Sequence, residues 1–86
     1  MDEQPSEAKH IFLHQEGNDW IAYHSGTEIS RKTRVSQERF YADLHVWIRK
    51  HRYEGPIWRV ATDGKIERDQ ETEERAARAY ENSSSI

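Results

Sequence analysis

Five histidines are the side chains of this 86-residue sequence best suited to hold a metal ion or carry a proton near neutral pH. His10 and His14 share one face of a strand-like run. At about 3.3 Å of rise per residue they stand about 13 Å apart, too far for one ion, and His24 falls on the opposite face. His45 and His51 are six residues apart in a helical run, about 240° around its axis, so no pair has the i, i+4 spacing of a two-histidine metal site. The spacing predicts ordinary surface and boundary histidines and no metal.

Asp63-Gly64-Lys65 carries the acid and the lysine of a metal-dependent nuclease. That chemistry needs a further carboxylate on a neighbouring strand, and Glu67 only continues the same run. A tight turn accounts for Asp63-Gly64 by itself. Ser25, Ser30 and Ser36 stand in no nucleophile-elbow motif, and the four glycines are scattered singly, so no phosphate-cradling loop exists. With zero cysteines, disulfides, thiolate metal sites and thiol nucleophiles are excluded together. The expectation is a non-enzymatic chain with no catalytic residues and no cofactor.

Charge is more informative. The net charge of −3 conceals segregation: Met1 to Glu28 has one Lys against six acids, Ile29 to Arg68 ten Lys/Arg against five acids, and Asp69 to Ile86 two Arg against five acids. Within the basic middle, Arg31, Lys32 and Arg34 precede a helical run and Arg49, Lys50 and Arg52 end it, with Tyr53 and Trp58 close by. Cations interleaved with aromatic rings suit phosphate contact with base stacking. Cations in the last turn of a helix also complement its dipole without any ligand, and the acidic arms and a pI near 5.9 oppose a nucleic-acid backbone. Nucleic acid is therefore a possible partner rather than the leading one.

Leu, Ile, Val and Phe number only fourteen, but thirteen of them lie between His10 and Asp69. One small domain over residues 9–69 can fold, flanked by an acidic segment 1–8 that reads as disordered and an acidic helix with a frayed tail over 70–86. No run approaches the roughly 18 apolar residues of a membrane span, and the acidic start does not resemble a secretory or transit peptide; the expectation is cytoplasmic, with no membrane partner.

His10 to His14 reads as a strand, Gln15 to Asp19 as a turn, and Trp20 to His24 as the return strand. Thr27 to Thr33 could add a third, polar strand. Ser36 is a good N-cap, Val35 and Phe40 occupy the positions of a hydrophobic staple, and Phe40, Tyr41, Leu44, Trp47, Ile48 and His51 make an apolar stripe that Gly55-Pro56 ends, giving a helix from about Gln37 to Tyr53. Ile57 to Ala61 and Lys65 to Arg68 form a second hairpin around a two-residue turn at Asp63-Gly64. From Gln70 a helix with Ala76, Ala77 and Tyr80 on one narrow face runs to about Glu81, with Asn82 to Ser85 frayed; it would be marginal alone.

Centring the first turn on Gly17-Asn18 pairs Gln15 with Trp20, His14 with Ile21, Leu13 with Ala22, Phe12 with Tyr23 and Ile11 with His24. One face then carries Phe12, His14, Ile21 and Tyr23, and the other Ile11, Leu13, Trp20, Ala22 and His24. The second hairpin puts Ile57, Ala61 and Ile66 on one side, Trp58 and Val60 on the other. Both faces are apolar, and one long helix covers only one of them.

Trp20-x-Ala22-x-x-x-Gly26, the Ser36-capped helix, and Gly55-x-Ile57 followed by Asp63-Gly64-x-Ile66 resemble, over His10 to Asp69, a family of short bacterial and phage-encoded proteins of unknown function. Its pattern is a W-x-V strand, an Ala-rich helix and a closing hairpin around D-G-x-I. The resemblance implies a fold and no activity.

The sequence thus predicts an α+β, two-layer domain of ββαββ order: an antiparallel sheet of two hairpins packed on one main helix, with a loosely attached C-terminal helix. The leading functional expectation is an interaction module that self-associates as a dimer or docks on a host protein through the uncovered face, anchored by Phe12, Ile21 and Tyr23, or by Ile11, Leu13 and Trp20, with Trp58. The alternatives are nucleic-acid binding through Arg31, Lys32, Arg34, Arg49, Lys50 and Arg52, and a phage-type inhibitor whose acidic arms occupy a basic cleft on a host protein.

Overall fold

Two glycine-bearing turns build the first three strands. The structure, a computed structural model, describes residues 5–6 and 8–84, with side chains through residue 79. β1 (Ile11–Glu16) and β2 (Asp19–His24) meet at Gly17-Asn18, where Gly17 has φ 61° and Asn18 does not enter the left-handed region, the pattern of a type II′ turn. β2 and β3 (Thr27–Lys32) meet at Ser25-Gly26, both left-handed at φ 52° and 78°, the pattern of type I′. The β1–β2 register is the expected one, from Ile11 opposite His24 to Gln15 opposite Trp20. In β3 a register shift leaves Ile29 between the partners of Ala22 and Tyr23, and Ile29 packs against the core.

α1 (Gln37–Lys50) starts at the expected N-cap, Ser36, but the Ser36 hydroxyl bonds Thr33 rather than the helix. The staple does not form: Phe40 is buried whereas Val35 is 95% exposed. The helix also stops earlier than expected. Arg52 adopts φ 52°, its N–H donates to the Arg49 carbonyl at 3.3 Å, and the Tyr53 N–H donates to the Ile48 carbonyl at 2.9 Å, which is a Schellman closure with arginine in the glycine position. Arg52→Gly removes a left-handed side chain and is expected to raise stability by about 0.5–1 kcal/mol, read from the urea midpoint.

A helix returns the chain antiparallel to the strand before it, so β4 (Ile57–Val60) runs in the direction of β3 and therefore parallel to β1, beside which it pairs. The sheet is thus mixed, of order β3-β2-β1-β4-β5, and not the antiparallel pair of hairpins expected. β5 (Ile66–Arg68) pairs Val60 with Ile66, one residue away from the expected register. The cause is the loop. Gly64 N–H donates to the Ala61 carbonyl and Ala61 N–H to the Lys65 carbonyl, each at 2.9 Å, so Thr62-Asp63-Gly64 is a three-residue loop with glycine at φ 87° rather than a two-residue turn. Ile66 consequently lies on the face of Trp58 and Val60.

α2 (Gln70–Ser84) begins at a buried cap: Asp69 accepts the Thr72 N–H at 3.0 Å and the Thr72 hydroxyl at 2.8 Å. It is firmly docked, in contrast to the expectation. Thr72 and Ala76 are buried and Ala79 packs on the core, whereas Ala77 is exposed; Asn82 to Ser84 are helical, and Tyr80 lies outside the side chains described. His45 Nδ1, on α1, donates to the Ala76 carbonyl at 2.9 Å and joins the two helices. The disorder expected of residues 1–8 lies outside the described residues at 1–4 and 7; Ser6 is in a turn, accepting the N–H groups of Lys9 and His10.

Both helices lie on one face of the sheet, α1 against β3 and α2 against β4. Under them sit Ile11, Leu13, Ala22, Phe40, Leu44 and Ile57, with Trp20, Trp47 and Tyr53 at the margin. Among the described residues no helix is long and apolar enough to cross a membrane.

Candidate functional site

Strand alternation assigns the residues of the opposite face. Phe12, His14, Ile21, Tyr23, Trp58, Val60 and Ile66 share it, and among the described residues no helix covers it. Of the two anchor sets expected from the sequence, Ile11 and Leu13 belong to the helix-covered core, and Trp20 is half-buried at its margin on the same side. Phe12, Ile21, Tyr23 and Trp58 lie on the open side.

That side is not bare. Phe12 is 4% exposed and Ile21 is 0% exposed. Ile21 sits between His14 and Arg31 across the sheet and between Asp19 and Tyr23 along its own strand, and these neighbouring side chains surround it. Two polar contacts fix the enclosure: Arg31 reaches Asp19 at 3.2 Å, and the Tyr23 hydroxyl donates to Glu16 Oε2 at 3.4 Å. The accessible part of the face is therefore a row of half-buried rings and edges, His14, Tyr23, Trp58 and Val60, with Ile66 exposed at the β5 end. Phe12 and Ile21 are the floor beneath it.

The rings are held in place. His14 meets Tyr23 edge-on with centroids 5.5 Å apart, and Phe12 lies 6.4 Å from His14. Trp58 Nε1 donates to His10 Nδ1 at 3.2 Å, and the Ser6 N–H donates to the same nitrogen at 3.1 Å, so Nδ1 is the accepting atom of that ring. The Tyr23 phenol is held above its ordinary pKa, first by desolvation and then by the carboxylates of Glu16 and Glu28, with Arg31 opposing. Glu16, Asp19 and Glu28 stand at this end of the face, with Arg31 among them.

The basic residues singled out in the sequence are dispersed. Arg31 lies on the open side and is paired with Asp19 and, at 3.8 Å, with Glu28. Lys32 is on the helix side, its ammonium 3.4 Å from the Tyr41 hydroxyl and 5.6 Å from that ring's centroid. Arg34 is exposed in the loop before α1, and Arg49, Lys50 and Arg52 lie at the other end of the helix, about 20 Å away at ~1.5 Å per residue. One continuous phosphate-tracking surface does not result. The histidines disperse likewise: His24 and His51 pack on Trp47, at 4.9 and 4.3 Å between centroids, and no group of three or more potential ligands gathers among the described residues.

The sequence missed a groove between the helices, lined by Tyr41, Arg39, Arg75 and Arg78, because it needed α2 to be docked. Its arginines are largely occupied: Arg39 pairs with Asp43 at 3.7 Å and Arg75 with Glu71 at 2.9 Å.

No protein-family model, curated protein or solved structure matches this chain.

Proposed function

We propose that the chain is a non-enzymatic interaction module that docks on a short segment of another protein through the open face of its sheet. The observation that carries this reading is the placement of both helices on one side, which leaves an ordered row of rings, His14, Tyr23 and Trp58, on the other. Aromatic anchors on a rigid surface concentrate binding free energy because few rotamers are lost on contact. Five strands at about 4.8 Å spacing and some 15–20 Å of strand length make a face of about 400 Å², roughly half of what each partner contributes to a standard stable interface. That area favours a peptide segment over a second copy of this chain.

Selection of a random dodecapeptide library on the immobilised full chain tests the reading. Enriched peptides are expected to shift the amides of His14, Tyr23, Trp58 and Ile66 in nuclear magnetic resonance spectra. They are also expected to lose about tenfold or more in affinity on Tyr23→Ala or Ile66→Glu, and nothing on Val46→Ala, which lies on the exposed side of α1. Peptides that map to the groove between the helices, or no enrichment, would overturn it. So would a dimer in light scattering that Ile66→Glu dissociates, since the face would then belong to a second copy.

A further inference from the structure

The open face is uneven along its length. At the β1–β2 end it dips into a groove of about 430 Å³ lined by Phe12, His14, Glu16, Tyr23, Ser25 and Gly26. Its walls are aromatic, and Glu16, exposed on its rim, touches the Tyr23 hydroxyl. Of the cations on this face, Arg31 is engaged by Asp19 and Glu28, and Arg68, opposite Trp58, by Glu73 at 2.9 Å. Among the described residues no cation lies within ion-pair distance of Glu16.

Resting on the docking role of the open face, we propose that this groove receives a lysine or arginine side chain of the docked protein segment, with Glu16 as counter-ion and the Tyr23 ring as cation–π surface. An apolar side chain placed there would strip water from the Glu16 carboxylate and return nothing, whereas an ammonium or guanidinium compensates the lost hydration. The methylene stem of either cation lies on ring carbon while the charge reaches the rim, the division of labour long basic side chains adopt on mixed surfaces. The Tyr23 phenol is raised first by desolvation and then by Glu16 and Glu28, with Arg31 opposing, which accords with a carboxylate at this rim. Beyond the groove the face continues as Trp58, Val60 and Ile66, so the residues flanking the cation meet apolar surface, which a free small amine would leave unused.

The test uses the 15N-labelled full chain and three probes: Nα-acetyl-lysine methylamide, Nα-acetyl-arginine methylamide, and the uncharged Nα-acetyl-norleucine methylamide. Saturable shifts of the amides of His14, Glu16, Tyr23, Ser25 and Gly26 are expected with the two cations in the millimolar range. The norleucine probe should bind about fivefold or more weakly, and Glu16→Gln should weaken the cations about threefold or more while leaving amide positions in α1 and α2 unchanged. Equal shifts from norleucine would overturn the cation preference and leave the docking role standing. Shifts indifferent to Glu16→Gln, or no shift from any probe, would also overturn it, and the peptide selection above would then decide the docking role separately.

Discussion

Phe40→Ala is expected to cost about 3–5 kcal/mol, seen as a large fall in the urea midpoint and in Tm. Phe40 is almost fully buried in the cluster beneath α1, and its ring meets Tyr41 at 5.2 Å between centroids, so truncation removes both transfer free energy and ring contact and leaves a cavity between helix and sheet. A domain of this length has a total stability of roughly 4–13 kcal/mol at ~0.05–0.15 kcal/mol per residue, so the variant stands at the edge of folding. Val35→Ala is the companion measurement. Since Val35 projects into solvent, its loss is expected to stay within about 0.5 kcal/mol. A comparable loss at the two positions would mean that they pack on each other as a staple after all.

That pair also shows where local pattern stops being informative. Spacing places Val35 and Phe40 where a staple would put them, and the i, i+4, i+7 stripe correctly marks Phe40 and Leu44 as core. Whether the residue before a helix folds back depends on the direction of the entering chain. Here Thr33 and Ser36 bond each other, Thr33 Oγ1 to Ser36 Oγ at 2.6 Å, and turn Val35 outward. The hairpins carry the same lesson. An X-Gly dipeptide suits both a two-residue I′ turn and a three-residue loop with glycine left-handed at its end, because both need positive φ at glycine and only the I′ turn asks it of X as well. Ser25-Gly26 is the first and Asp63-Gly64 the second. In the second, the Asp63 carboxylate accepts the Lys65 N–H at 2.9 Å and holds the longer loop. One residue of difference moves Ile66 across the sheet and lengthens the apolar row of the open face.

Parallel pairing of β1 with β4 was beyond local pattern for another reason: it follows from the crossover of α1, a long-range choice that no turn residue encodes. The docking of α2 is hard to read from sequence because it uses small side chains. Thr72, Ala76 and Ala79 let two helices approach closely without bulky apolar residues, and counting large hydrophobics does not register such a contact. The two-sided apolar character of β1 and β2, by contrast, was fully legible. Which side the helices would take was not, since Phe12, Ile21 and Tyr23 are as apolar as Ile11, Leu13 and Trp20, and only the packing of α1 and α2 on the second set distinguishes them.

Tyr53→Phe is expected to lose about 2–4 kcal/mol, far more than one hydroxyl normally contributes. The Tyr53 oxygen accepts the Ile11 N–H at 3.0 Å and donates to the Pro56 carbonyl, so it joins the first residue of β1 to the loop that leads into β4. Ile11 and Pro56 are buried, and deleting the oxygen orphans one donor and one acceptor, each at about 1–3 kcal/mol. The Schellman closure at Arg52 aims the Tyr53 ring inward, and Gly55 leaves room for it: a Cβ there would stand 2.9 Å from the Tyr53 oxygen and 3.0 Å from its ring. Gly55→Ala is therefore expected to destabilise wild-type protein, and to do so less in the Tyr53→Phe background, where the nearest atom is gone; a double-mutant cycle by urea denaturation measures the coupling. Additive losses would show that glycine at 55 serves something other than this ring. Because the same oxygen holds β1 at the edge where it meets β4, hydrogen exchange in Tyr53→Phe should quicken first at Ile11 and Phe12, loosening the open face from beneath before the helices separate.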